Sequence, residues 1–597
     1  MIQMDFKTRI CELLMAPTGL EFEKIFSLIE IPPKNVDADF AFPCFILSKI
    51  KKKNPQLIAS EIAKNLTEAK VFNGNITASG SYINFKYAIS TKAKIILSNI
   101  AEDAQAFAKQ SFKNLKQERI VIEYPSPNTN KPLHLGHVRN MLIGQFLTKL
   151  NKFAGNQTFV VNLYNDRGVH ICKSMYAYQK WGNNSTPESE DLKSDHFVGK
   201  YYVKYDIELQ KSKETKDTAV NMEEAVQEML RKWEANDTEI RELWKKMNNW
   251  AFQGYNQTFK EYGIQFDKIY YESEIYDKGK EIVLAGIEKG IFTKCETGET
   301  RIFFKDFAKK GLPESKVLLR SDQTTLYITQ DLYLAYLKQI DFNYDRSLYV
   351  IGNEQNMQMR TVFEILESLK QHNILGFKGN NVHISYGMIY LPSGKMKSRE
   401  GKVVDADDII ADMIDLARQK IKERYSDLSQ DEIENRTRKI GHAALRFFIL
   451  KYDMTADFTF DPEKSIEFEG ETGPYIQYTY ARTASIFRKA EKNLNDKFSL
   501  EHPNWGIFKE PSEEKLISKL AEFPQVIFEA VDKYKIHYIP KYLLELAQSY
   551  NEFYRDCPVL NTDNEQLKEH RLYLIKCFAD IIKIGLNLMN IETLDMM

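Results

Sequence analysis

Residues 119–166, RIVIEYPSPNTNKPLHLGHVRNMLIGQFLTKLNKFAGNQTFVVNLYND, decide the architecture. RIVIE is a short apolar run of the kind buried on both faces of a parallel sheet. A Pro- and Asn-rich loop follows, then an amphipathic helical pattern from HLGH to near Gly155, then a second strand in QTFVVNLYND. Strand, loop, helix, strand is one βαβ unit, and such units bind ligands outside the carboxyl ends of their strands. His134 and His137 stand at the mouth of the helix. Residues three apart share a helix face, here over unpaired backbone N–H groups and the positive dipole end. Gly136 lets a flat base lie against the backbone. Two imidazoles so placed would stabilise charge developing on a transferring phosphate.

Outward from this unit, KIYYES, TRIFFK, LYIT, SLYVIG and HISYGMIYL read as strands, alternating with helical DLYLAYLKQI and MRTVFEILESLKQH. The alternation predicts a doubly wound, Rossmann-like α/β nucleotide-binding domain over 113–405, with an inserted helical and connective region at about 177–310. Within the insertion, the Ser-, Glu- and Lys-mixed stretch 183–217 reads as flexible. Residues 1–112 predict a small α+β domain. FKTRICELL and PQLIASEIAKNL are helical, ITASGSYINFKYA is strand-like, and KQSFKNLKQ is a polar linker. Residues 406–597 read almost entirely as helix, an all-α terminal bundle. The whole is α/β multidomain, and no period of 20–50 residues suggests a solenoid.

Composition bounds the function. The 597 residues allow roughly three to five domains. The 82 Lys+Arg against 83 Asp+Glu exclude a general polyanion binder, so nucleic-acid contact must come from local patches. Six Cys without CxxC spacing predict no protein-bound zinc and a reducing compartment. No apolar run spans a membrane and no signal peptide is visible, so the expected location is the cytoplasm.

A second signal lies at 394–401, GKMKSREG, where three cations in five residues would suit a triphosphate clamp. Together, HLGH and GKMKSREG resemble the HIGH and KMSKS motifs of class I aminoacyl-tRNA synthetases. EYPSPNTNKPLHLGHVRN, NLYNDRGVHICK, LYITQDLYLA, YVIGNEQ, GKMKSREGKVVDADDI and GETGPYIQYTYAR, spread over 123–482, resemble one member of the class, arginyl-tRNA synthetase. GSYINF resembles that family's extra N-terminal domain.

The resemblance implies ATP-dependent activation of L-arginine to arginyl-adenylate, then transfer to the 3′-terminal ribose of its tRNA. It assigns Glu123 and Asn128 to the α-amino group and its neighbourhood, and Tyr327 and Asp331 to the guanidinium, with Gln355 completing the pocket. The Tyr327–Asp331 spacing has an independent rationale, since i and i+4 share a face and a carboxylate takes a guanidinium in a fork. ATP would meet His134, Gly136, His137, Lys395, Met396, Lys397 and Arg399, with His134, His137, Lys395 and Lys131 catalytic. The second lysine of the KMSKS pattern is Ser398 here, so Lys131, Lys397 and Arg399 are the alternatives for the pyrophosphate. Mg²⁺ would come with ATP, and no metal-binding residue set is legible.

For tRNA, Tyr475, Tyr478 and Arg482 fall on one helix side, where aromatics beside Arg stack bases. Tyr82 and Asn84 are the N-terminal candidates. The resemblance implies anticodon binding by the C-terminal bundle and a monomer. The competing readings are a small-acid nucleotidyl transferase such as a pantothenate synthetase, a synthetase for another amino acid, and a non-catalytic tRNA-binding regulator. The long helical tail argues against the first, Tyr327 with Asp331 against the second, and intact His134, His137 and Lys395 against the third.

Overall fold

The computed structural model describes residues 2–33, 35–215, 219–392, 404–425 and 428–597. Its centre is a five-stranded parallel sheet of β1 (Arg119–Glu123), β2 (Gln157–Tyr164), β3 (Lys268–Tyr271), β4 (Arg346–Gly352) and β5 (Asn380–Tyr386), in the order β5-β4-β1-β2-β3. Ile120, Val121 and Ile122 are all buried, so β1 is covered on both faces. Helix α1 (Leu135–Phe153) makes the crossover from β1 to β2. The chain then returns to the other side of β1 with β4, so the carboxyl end of β1 is the switch point. Glu123 sits there, level with Tyr349 of β4 and Val161 of β2.

The insertion is packed helix. Residues 183–217, expected to be flexible, contain α2 (Ser194–Thr215), which an aromatic cluster holds down. Phe197 stands edge-on to Tyr178, Tyr201 and Trp250 at 5.1–6.1 Å. Trp250 belongs to α3 (Thr238–Tyr262), an amphipathic helix capped by Asp237 and ended by Gly263 at φ +67. Such clusters bury large areas in a segment whose composition is polar on average.

One strand expectation is overturned, and two others are strands that lie wholly or partly outside the central sheet. LYIT opens α4 (Tyr327–Phe342), because Leu326 is extended and the chain turns helical at Tyr327. TRIFFK joins a separate antiparallel sheet of Thr293–Lys294, Thr300–Phe303 and Ser315–Leu319, which has its own core around Phe292, Ile302 and Leu318. HISYGMIYL breaks at Gly387, where a Cβ would stand 2.5 Å from Asp457 and 2.8 Å from the Ala456 backbone. Beyond the break, Ile389–Tyr390 pairs in parallel with Phe458–Thr459.

The C-terminal part is helical, with α5 (Ala406–Arg424), α6 (Gln430–Leu450), α7 (Gly473–Lys489), α8 (Tyr538–Asp556) and α9 (Glu565–Leu588) as its longest members. The N-terminal part is a three-stranded antiparallel sheet flanked by helices, and ITASGSYINFKYA is a hairpin turning at Gly80, φ +56. The two ends of the chain touch, since Lys92 pairs with Asp39 (3.1 Å) and with Glu514 (2.8 Å). All six cysteines are unpaired and five are buried. Among the described residues no helix is long and apolar enough to cross a membrane.

Arg139 of α1 fixes these parts to one another. It is 1% exposed. Its Nη1 donates to the carbonyls of Gly387 (2.6 Å) and Met388 (3.0 Å), and its Nη2 to those of Met454 (2.9 Å) and Ala456 (2.9 Å). Arg139→Met takes the guanidinium from the Gly387 and Ala456 carbonyls, while those of Met388 and Met454 keep the Phe458 and Gly387 N–H groups, and is expected to cost about 3 kcal/mol. Urea unfolding followed by tryptophan fluorescence checks this, against Arg555→Met, an exposed pair whose loss stays within about 0.5 kcal/mol.

Candidate active site

His134 is the N-cap of α1 and its backbone is extended. The Gly136 N–H donates to His134 Nδ1 (3.1 Å), and the His134 N–H donates to His137 Nδ1 (3.1 Å). The two imidazoles thus form a reciprocal capping box. With Nδ1 accepting in both rings, each neutral imidazole carries its proton on Nε2. The ring centroids are 3.9 Å apart. A Cβ on Gly136 would stand 3.0 Å from the His134 ring, so glycine is what allows that ring to fold back over the helix start. Burial, with Lys131 nearby, pushes His134 down to about 4. Burial, then His134 and Lys131, hold His137 well below the usual range. Both rings are therefore neutral donors at pH 7.

The loop before them is carried by the insertion. The Tyr255 hydroxyl of α3 reaches the carbonyls of Asn128 (2.8 Å) and Lys131 (2.6 Å), and Thr129 bonds to Asn248. Asn128 is exposed, and Lys131 is half-buried with its ammonium pKa lowered by that burial.

An acidic pocket lies at the carboxyl end of β1. Tyr327, 70% exposed, begins α4, and Asp331 lies one turn on. Burial, with Glu123 adding to it, raises Asp331 to about 7. Gln358 Nε2 donates to Asp331 Oδ2 (3.1 Å), while Gln355 is exposed on the short turn Asn353–Gln355. Glu272, 7% exposed, faces the same acid, and burial pushes it to about 7. Glu123 is buried beneath, and Lys338 donates to its Oε2 (2.7 Å). Sequence reasoning missed Gln358, Glu272 and Lys338. The helical phase of α4 could have found Lys338, seven residues after Asp331 on the same face.

Lys395, Met396, Lys397 and Arg399 lie outside the described residues. The chain that follows them is paired to the histidine segment: the Leu135 N–H donates to the Val404 carbonyl (3.0 Å) and the Ala406 N–H to Leu133 (2.9 Å). Nearby, Asp195, His196 and Asp407 bring ligand-type atoms within 4.8 Å of one another. Lys193 stands 2.5 Å from Asp407 and 3.4 Å from Asp195, and His196 lies 3.3 and 3.2 Å from Asp405 and Asp407. Against the downward pull of burial, the two aspartates raise His196 to about 10. Two cations already meet three carboxylates, and a metal ion would have to displace an ammonium.

Farther off, Asn551 of α8 bonds both Tyr475 (2.7 Å) and Arg482 (2.9 Å) of α7. The Arg482 guanidinium lies 5.0 Å from the Tyr478 ring and 5.4 Å from Tyr554, an aromatic the sequence did not single out. Tyr82 is half-buried against Phe45, and Asn84, 6% exposed, is inside the central N-terminal strand.

Known proteins share this arrangement. Residues 99–462 match the family described as tRNA synthetases class I (R), catalytic domain. Residues 2–87 match the arginyl tRNA synthetase N terminal domain, and 476–597 the DALR anticodon binding domain. The chain is 41% identical over 565 residues to an arginine–tRNA ligase of Parabacteroides distasonis, covering 92% of each. It is 40% identical to one of Treponema denticola, covering 95% of this chain and 94% of the other. In fold it is similar to the Thermus thermophilus arginyl-tRNA synthetase, with a TM-score of 0.76, 22% identity and full coverage of both chains.

The capping box has a direct readout. In an NMR titration the Cε1 protons of His134 and His137 are expected not to move between pH 8 and pH 5.5, whereas an exposed histidine titrates near its ordinary 6.5. The unfolded chain binds these protons and the folded one does not. Their contribution to stability is therefore present above the unfolded value and lost as pH falls toward 4.

Proposed function

We propose how the pocket divides its work from one premise: this chain belongs to the class I arginine–tRNA ligases. It joins arginine to tRNA at the expense of ATP, by way of arginyl-adenylate. The assignment of residues to those steps is our reading. The observation that carries it is a half-buried carboxylate, Asp331, with its pKa raised, and a neutral histidine pair capping the crossover helix of the same sheet.

Asp331, steadied by Gln358, takes the guanidinium, and Tyr327, exposed one turn before it on the same helix, is its second contact. Glu123 and Asn128 meet the substrate's amino end, and Gln355 stays the outer candidate. The arginine carboxylate attacks the α-phosphate, and pyrophosphate leaves. His134 and His137 present Nε2–H to the phosphate oxygens as fixed donors, which is how preorganised dipoles stabilise transferring phosphoryl groups. Lys131, which stands beside both rings, supplies positive charge, with Lys395, Lys397 and Arg399 of the later GKMKSREG segment, where the neutral Met396 is a further ATP contact. Magnesium arrives on the triphosphate as part of the substrate. The terminal ribose hydroxyl of tRNA then attacks the mixed anhydride and AMP leaves. Tyr475, Tyr478 and Arg482 serve the tRNA on the C-terminal side, and Tyr82, with Asn84 behind it, on the N-terminal side. The same reading has the enzyme acting as a cytoplasmic monomer.

The test is arginine-dependent ATP–pyrophosphate exchange, with and without arginine-accepting tRNA and with lysine as control. Exchange with arginine and not with lysine is expected. No exchange under either condition, with tRNA binding intact, would overturn the catalytic assignment. Asp331→Asn should raise the arginine KM about 100-fold or more, the scale of a lost charge-assisted fork. In the unsubstituted enzyme the protonated acid must lose its proton to bind. The arginine KM is therefore flat above about pH 7 and rises about tenfold per unit below it. D331N should abolish that dependence.

A further inference from the structure

Lys338 is 0% exposed, in the middle of α4, two turns beyond Asp331 on the same face. Its Nζ lies 2.7 Å from Glu123 Oε2 and 3.5 Å from the centre of the Tyr349 ring. A fully buried ammonium is costly, and its loss would leave Glu123 a buried carboxylate without a counterion. Evolution can fill such a position with a hydrophobic residue at no loss of stability, so the ion pair calls for a functional reason. Three carboxylates converge on the pocket, Glu123, Asp331 and Glu272, the last with Arg167 against it, while the substrate side chain brings one positive charge. We propose that Lys338 is a positioning residue of the arginine pocket: by neutralising Glu123 it sets the pocket to a single negative charge, on Asp331, matched to one guanidinium.

This rests on Asp331 being the guanidinium acceptor. Glu123 faces Lys338 and Asp331 of α4, Tyr349 of β4 and Tyr270 of β3, and Ser126 Oγ lies 3.3 Å from its other oxygen. Glu272 is the other acid coupled to Asp331, and Arg167 stands against it. Removing the ammonium therefore makes Glu123 and Asp331 compete for one proton, as like charges in one site do. The two then titrate as a pair. A purely structural lysine predicts a uniform loss at all pH values instead.

The experiment follows the arginine KM of the full-length enzyme in ATP–pyrophosphate exchange, with tRNA present, between pH 6 and pH 9. In Lys338→Gln, which keeps a hydrogen bond and loses the charge, the pH limb of KM is expected to move up by at least one unit. For a move of one unit KM at pH 7 then rises about fivefold and comes back close to the wild-type value by pH 9. Lys338→Arg should hold the limb in place. Glu123→Gln alone should move it down, and E123Q/K338Q, which removes both charges together, should bring it back to the wild-type position. If K338Q does not fold, the shift between E123Q and E123Q/K338Q decides the matter, since neither carries an unpaired Glu123 carboxylate and they differ only in the Lys338 ammonium. An unmoved limb in K338Q, or the same limb in E123Q and the double variant, would overturn the role of Lys338. D331N separates the premises. If it leaves the arginine KM unchanged, the pocket assignment falls and this inference with it. If D331N raises KM while K338Q moves nothing, only the role of Lys338 falls.

Discussion

A buried guanidinium without a carboxylate partner holds this enzyme's active site together. Arg139 spends its donors on backbone carbonyls from two distant stretches, 387–388 and 454–456, and rests against the Phe458 ring at 4.7 Å. Arginine suits this task because its planar fork reaches several acceptors at once, which a lysine point charge cannot do. The residue sits one turn past the histidine pair on the same helix. Any displacement of α1 would therefore move the phosphate-facing donors and the stem of the C-terminal helices together. The far side of α1 is held in the same way. Buried Arg446 of α6 bonds Gln145 of α1 (2.5 Å) and the Tyr262 carbonyl (2.7 Å), and Lys149 reaches Asn590 (2.6 Å). One helix thus couples the histidine end of the sheet to the C-terminal helices.

The insertion acts as a scaffold from the opposite side. Tyr255 and Asn248 of α3 satisfy the loop that leads to the histidines, and the Tyr262 hydroxyl donates to the Ala406 carbonyl (2.8 Å). Loops that place catalytic groups need such support, because irregular backbone has no ladder of its own to fill its hydrogen bonds. The charged exterior of the insertion hid this role from a compositional reading. The residues that give it its rigidity, Tyr178, Phe197, Tyr201 and Trp250, are spread over more than 70 positions and meet only once the helices pack.

What the sequence disclosed was whatever depends on near neighbours. The βαβ unit, the paired histidines at a helix mouth and the Tyr327–Asp331 turn are local patterns, and each is in the structure as a local pattern. What it hid was whatever depends on partners far along the chain. Lys338 and Glu123 are 215 positions apart. Helical phase puts this lysine on the face of Asp331, but no neighbour in sequence marks it as buried rather than solvated in a helix that also carries Tyr333 and Tyr336. The same holds for Gln358, which helical phase rather than motif position brings to Asp331. The protonation state of the histidines was equally closed to sequence, because it follows from Nδ1 being occupied by backbone donors. Two imidazoles expected to stabilise charge on a phosphate do so, in place, as neutral hydrogen-bond donors. LYIT, apolar and β-prone, turned helical because the helix it opens is buried along Ile328, Leu332 and Ala335.

With Asp331 as the proposed guanidinium acceptor, its border position also explains how one carboxylate can separate two cationic amino acids near neutral pH. With its pKa raised to about 7, Asp331 is about half protonated at that pH until a cation comes close enough to repay the desolvation. A guanidinium offers a planar pair of donors at the end of a long stem, reaches the free side of the carboxylate beyond Gln358, and draws the proton off. An ammonium on a shorter stem that stops at a distance does not. The acid then keeps its proton and turns an O–H donor toward a group that has only donors. The mismatch is donor against donor in a low-dielectric site, and sites that leave such groups unpaired discriminate by about 10⁴ or more. Selectivity of this kind needs the neighbouring Glu123 to stay neutralised. A second free carboxylate would accept the ammonium on its own terms and erase the difference.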